Sequence, residues 1–157
     1  MKKHYYQTLL EWTGSRNNGT QDYTSYSRDH SVTIEGKQHS ILGSSDSSFR
    51  GDPSRYNPEE LFLASIANCH MLWYLHLCAT NHIIVLEYLD HATGVMEEDK
   101  NGGGRFTEVT LHPYVKVKDS SMIEKANTLH ERANRLCFIA NSCNFTIKHQ
   151  PKTEVLN

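Results

Sequence analysis

The sequence predicts an α+β fold with the element order βββ–α–ββ–α–β, and three observations predict it. Residues 57–80, "NPEELFLASIANCHMLWYLHLCAT", open on a helix-start signal and stay apolar to their end. Two long alternating runs, rich in β-branched and aromatic residues, flank the glycine turn "NGGG" at 101–104. A second helical pattern at 120–137 keeps its apolar residues on one stripe and precedes the strand-like "NFTIKHQ".

Taken in order, "HYYQTLLEW" (4–12) and "QDYTSYSRD" (21–29) are expected strands, separated by the turn-rich "TGSRNNGT". "SVTIEG" (31–36) is the third strand, and 43–57 form a polar loop rich in Gly, Ser and Pro, of a length that is often functional. The first helix starts at Asn57, a good N-cap, with Pro58 at the first helical position and Glu60 placed to complete a capping box. From Leu61 onward apolar residues occur on every face, which predicts burial nearly all round, in the middle of a fold or between two subunits. The runs 83–99 and 105–117 then make a β-hairpin. The second helix opens with a capping box of Ser121 and Glu124, and Ile123, Ala126, Leu129, Ala133 and Leu136 form its stripe. No repeat, low-complexity segment or linker divides the chain, so residues 1–157 are expected to be a single domain.

Composition narrows the function. The net charge of −2, with Lys and Arg scattered, argues against nucleic acid or an anionic membrane as partner. The N-terminal "MKKHYYQTLLEW" lacks the apolar core of a secretory signal. The most apolar stretch, 61–79, is interrupted by Ser65, Asn68, His70 and His76, so no transmembrane span is expected. A cytoplasmic location follows as the expectation. There the four cysteines are to be read as buried, catalytic or metal-binding before they are read as a disulfide framework.

Cys69 and Cys78 are nine residues apart on one helix, hence on opposite faces, and Cys78 reads as core. Cys137 extends the inward line of Ala126, His130 and Ala133, so it faces whatever the second helix packs on. The apolar first helix, which presents Cys69, is the obvious partner, and Cys143 has no such argument. A zinc site wants paired short spacings such as C-x-x-C, and there is none; no metal is expected. A Cys–His nucleophile with His130 or His70 as base is a further reading, although His130 lies two turns, about 10 Å, from Cys137 along the helix.

"NPEELFLASIANC" resembles the central-helix motif of the OsmC/Ohr family, the osmotically inducible and organic hydroperoxide resistance proteins. Glu59 and Cys69 keep the family offset of ten residues, and Cys137 stands after an amphipathic helix and before a final strand, as the second family cysteine does. "EWTG" at 11–14 is similar to the family's first strand. Two positions depart from the pattern: His70 follows the first cysteine, commonly followed by Phe, and Phe138 follows the second, often followed by Pro.

The resemblance implies an OsmC-like fold, two chains intertwined as a homodimer with active sites at the interface, and no cofactor. It implies a thiol-dependent peroxidase for organic hydroperoxides, with Cys69 peroxidatic and Cys137 resolving, reset by an external dithiol, with lipoyl groups as one source. A family arginine, oriented by Glu59, would supply the positive charge a reactive thiolate needs. Arg50 is the first choice for it, with Arg55 and Arg16 as alternatives. Ten helical residues span about 15 Å, so Glu59 and Cys69 would meet only if two copies of the helix paired antiparallel. Trp73 and Tyr74 are candidate walls of an alkyl pocket. The competing reading is a non-catalytic member of the fold that binds a small molecule or senses redox state through its thiols.

Overall fold

The computed structural model describes residues 2–156, which form two compact units, one ending at Leu61 and one starting at Phe62. The α+β fold class holds, with differences in where several elements lie.

In the first unit, strands β1 (Leu9–Trp12), β2 (His30–Thr33) and β3 (Ile41–Gly43) form an antiparallel sheet in that order. The expected strand at 21–29 is instead a chain of turns. The Asp22 carboxylate accepts from the Thr24 amide at 2.7 Å, a local bond that competes with sheet pairing. Arg28 lies between the rings of Tyr23 and Tyr26, at 4.4 and 4.2 Å from their centroids, and donates to both residues' carbonyls. The loop before the helix is tied by Ser44, whose hydroxyl donates to Asp29 and accepts from the Asp52 amide, each at 3.1 Å. The capping box forms as read: the Glu60 amide donates to Asn57 Oδ1 at 2.8 Å, and the Asn57 amide donates to Glu60 Oε2 at 3.1 Å. Helix α1 (Pro58–Thr80) begins there.

In the second unit the expected hairpin is present, but each arm is broken in the middle. β4 (Val85–Asp90) continues as β5 (Thr93–Glu98), and β6 (Gly104–Leu111) continues as β7 (Pro113–Val117). β8 (Ile147–His149) and β9 (Lys152–Val155) repeat the pattern, giving two three-stranded sheets, β5–β6–β8 and β4–β7–β9. The breaks fall beside Pro113 and Pro151, which have no N–H for a ladder. At one of them the His112 amide turns aside to the Asp90 carboxylate, at 2.7 Å.

Helix α2 (Ile123–Leu136) follows a short 3-10 turn, and its stripe packs with α1 onto the sheet. Tyr74, Leu77, Cys78, Val115, Val117, Ala126, Leu129 and Ala133 make one cluster; Ile66, Val109, Leu111 and Ile147 make a second. The Ser121–Glu124 capping box does not form, because Asp119 takes the Ser121 amide at 2.8 Å and a 3-10 turn precedes the helix. Nor is α1 buried all round within one chain. Its inward line is Ile66, His70, Tyr74, Leu77 and Cys78, whereas Leu72 on the other side is 63% exposed. Apolar residues on every face do not specify what covers each face.

Candidate active site

The open face of α1 is built at one spacing. Ser65, Asn68, Cys69, Leu72, Trp73 and His76 recur every three or four residues and therefore share one side of the helix. With Phe138 and Ile139, from the segment after α2, they line a mostly apolar cavity of about 600 Å³. The Trp73 ring meets the edges of His76 and Phe138, with centroids 5.8 and 5.7 Å apart. Cys69 is half-buried in the wall of this cavity.

Cys137 ends α2 and is fully buried. The structure brings it beside Cys69, and both thiols are free. Burial, and after it the neighbouring Cys69 thiol, push the Cys137 thiol up to about 11, so it stays protonated at neutral pH. Its sulfur also accepts from the Ala140 amide at 3.3 Å. The pair is unequal in its surroundings: one sulfur is open to a cavity and the other is buried beside it. Cys78 lies in the core on the far side of α1, and Cys143 is raised by burial and donates to the Ile139 carbonyl.

The chain matches the family model described as "OsmC-like protein" over residues 51–152. It belongs to the OsmC-like family. Among solved structures it is similar to an OsmC-like protein of unknown function from Vibrio cholerae, with 26% identity, coverage of 96% of this chain and 100% of that one, and a TM-score of 0.83. An organic hydroperoxide resistance protein from Elizabethkingia anophelis is 21% identical over 99% of this chain and 100% of that one, with a TM-score of 0.69. The corresponding protein OhrB of Bacillus subtilis is 20% identical over 95% and 98%, with a TM-score of 0.66. No curated protein matches the sequence.

The OsmC-like match spans Glu59, Cys69 and Cys137, stops one residue short of Arg50 and leaves out Arg16. Glu59 and the three arginines belong to the first unit. Glu59 sits in the first turn of α1, where a carboxylate is favoured by the helix dipole. Arg50 is exposed and ends a 3-10 turn with φ 65°; Asp22 is held low first by its hydrogen bonds to Thr24, and the Arg50 charge adds the least. Arg55 pairs with Asp29 and Asp52 at 3.9 and 3.7 Å, and Arg16 is exposed with φ 47°. Of the expected pocket walls Trp73 is one, while Tyr74 points into the core. Sequence reasoning passed over Ser65, Asn68, Leu72 and His76, although their spacing from Cys69 marks them as one face.

His70 and His130 hydrogen-bond each other rather than a cysteine. They are 1% and 0% exposed and joined by a 3.0 Å bond from His70 Nε2 to His130 Nδ1. His149 from β8 lies beside them. Among the described residues no group of three His, Cys, Asp or Glu side chains is arranged to hold a metal ion.

Proposed function

We propose that this OsmC-like chain is a thiol-dependent reductase of organic hydroperoxides, with Cys69 as the attacking sulfur and Cys137 as the resolving one. The observation that carries it is the unequal thiol pair: Cys69 opens on an apolar cavity, and Cys137 is buried beside it. The Cys69 thiolate attacks the outer peroxide oxygen, the O–O bond breaks, and a proton completes the alcohol. Cys69 is left as a sulfenic acid. The Cys137 sulfur then attacks the Cys69 sulfur, and its proton leaves with the hydroxyl as water, forming the disulfide. An external dithiol such as dihydrolipoamide returns both thiols by exchange.

An apolar cavity favours an alkyl or aryl hydroperoxide over hydrogen peroxide, since burying the organic group removes apolar surface from water. The names of the Elizabethkingia and Bacillus proteins agree with this reading. The open apolar face of α1 supports the further proposal of a homodimer, in which Glu59 and an arginine, Arg50 first, act across the interface on the partner's thiol; a cytoplasmic location is proposed with it.

The test is consumption of cumene hydroperoxide with dihydrolipoamide by wild type, Cys69→Ser and Cys137→Ser. Turnover by wild type, abolished in Cys69→Ser, and one slow equivalent without an internal disulfide in Cys137→Ser, is the expected outcome. No turnover by the fully reduced wild type with several organic hydroperoxides overturns it.

A further inference from the structure

Cys69 and His70 are neighbours on α1, and both reach α2. The thiol meets Cys137, and the imidazole meets His130. On α2 these partners are seven residues apart, two turns of one face, or about 10 Å. One point of α1 is thus fastened to α2 at two well-separated places. A thiol–thiol contact alone is weak and tolerates sliding and rotation. A hydrogen bond between buried rings does not, because any displacement leaves a buried donor without an acceptor.

We infer that His70 and His130 are positioning residues, a clamp that holds Cys137 within bonding reach of Cys69 so that the disulfide closes; the assignment rests on the redox reading of the two cysteines. Neither ring lines the cavity, so neither touches the hydroperoxide. The step they serve is attack of the Cys137 sulfur on the Cys69 sulfenic sulfur, with water as the product that leaves. An organic hydroperoxide is the oxidant that creates the sulfenic acid.

The surroundings suit a clamp of neutral rings. Tyr74 of α1 stacks on His130, and behind Tyr74 lie Cys78 of the same helix and Tyr88 of β4. From β8, His149 approaches both rings, at 5.8 Å from His70 and 6.4 Å from His130 between centroids. Glu131 of α2 acts on His149. Neither His70 nor His130 has a carboxylate partner, and their outer nitrogens, His70 Nδ1 and His130 Nε2, are buried without a hydrogen bond. A proton on either ring would therefore be a buried cation with no counter-charge, and burial holds both below the ordinary imidazole value. In the neutral pair one ring donates its single N–H across the contact and the other accepts; because the contact joins an Nε2 to an Nδ1, both rings hold the same tautomer, Nε2–H where His70 donates and Nδ1–H where His130 does.

The experiment separates the two chemical steps. Reduced wild type, His130→Leu and His130→Gln are each mixed with one equivalent of cumene hydroperoxide. Peroxide loss reports sulfenic acid formation, and loss of alkylatable thiols reports disulfide closure. A parallel series uses diamide, which closes a proximal dithiol without any peroxide. The expected result is peroxide loss near the wild-type rate in both variants. Closure in His130→Leu slows by roughly tenfold or more with either oxidant, about 1.4 kcal/mol on the barrier, and the amide of His130→Gln restores most of it. A folded His130→Leu that closes its disulfide at the wild-type rate overturns the clamp. Wild type is also tested directly by long-range ¹⁵N–¹H spectra of its imidazoles. Two slowly exchanging rings in the same tautomer support the clamp, whereas opposite or freely exchanging tautomers at His70 and His130 overturn it even where His130→Leu does not fold. Failure of wild type to consume peroxide counts against the hydroperoxide reading alone, because the diamide series still reads the clamp.

Discussion

Tyr74 and His130 stack face to face, their ring centroids 3.8 Å apart and their planes 12° from parallel. Both are fully buried, so this contact joins α1 to α2 in the middle of the second unit. Tyr74→Ala should remove about 3–5 kcal/mol of stability, a large share of what a domain has. Urea unfolding followed by circular dichroism measures it; a loss below about 1 kcal/mol would mean that the helices are held elsewhere.

Acid should weaken the same region. Burial lowers His70 to about 4 and His130 to about 3, against 6.5 for an unperturbed ring. Both shifts are downward, so the unfolded chain binds protons that the folded chain refuses. The neutral pair thus stabilises in full above about pH 6.5, and that stability is lost progressively as pH falls towards 4 and 3. His70 alone contributes on the order of 3 kcal/mol to the change. Urea midpoints should fall between pH 7 and pH 5, where carboxylates hardly titrate; an unchanged midpoint over that interval would contradict the burial of neutral rings.

At the head of α1, Asn57→Ala removes the acceptor for the Glu60 amide. The expected cost is about 1 kcal/mol, with Glu60→Ala costing less because its bond reaches an amide at the outer end of the box. Thermal melts of the two variants side by side rank them; equal and negligible shifts would show the cap to be dispensable.

Gly51 is closed in by the carbonyls of Ser45 and Asp46, and a Cβ built there meets backbone oxygen rather than a movable side chain. Gly51→Ala should therefore cost about 1–3 kcal/mol through forced displacement of the loop. A variant as stable as wild type would show that the loop gives way freely.

Phe138 is 71% exposed, yet its edge packs on Trp73 at the cavity wall. Phe138→Ala should change stability by no more than about 0.5 kcal/mol. It should also raise the rate at which a bulky maleimide labels Cys69 by roughly two- to fivefold, since access limits the reaction. Mass spectrometry of the labelled protein resolves Cys69 from the other thiols, and unchanged labelling would remove Phe138 from the cavity wall.

What the residues disclosed about themselves depended on how local the signal was. Asn57, Pro58 and Glu60 form a contiguous cap, and it is built as written. The line Ala126–His130–Ala133–Cys137 needed only a 3.6-residue period, and it faces inward. Residues 21–29 misled because Tyr, Thr and Ser favour both strands and turns, and Asp22 decided the matter with a bond two residues away. The breaks at Pro113 and Pro151 were legible in principle, as prolines inside apparent strands. The bond between His70 and His130 was not, because it depends on how α1 is rotated against α2, and no local spacing records that angle. The cavity was half legible: its α1 wall is periodic, but Phe138 and Ile139 come from a chain reversal after Cys137.

β8 and β9 pair with β6 and β7 in parallel at a single offset: Ile147 faces Val109 and Val155 faces Val117. Both sheets of the second unit therefore take their third strand from the same late stretch of chain, across a helix that must already be folded back. During synthesis, β6 and β7 wait with one edge unpaired until residues 147–155 emerge, and such an edge is a template for strands of other chains. Non-local parallel pairing is slow to form even then. The interval between making Val109 and making Val155 is thus the one in which these sheets are most open to pairing with strands of other chains.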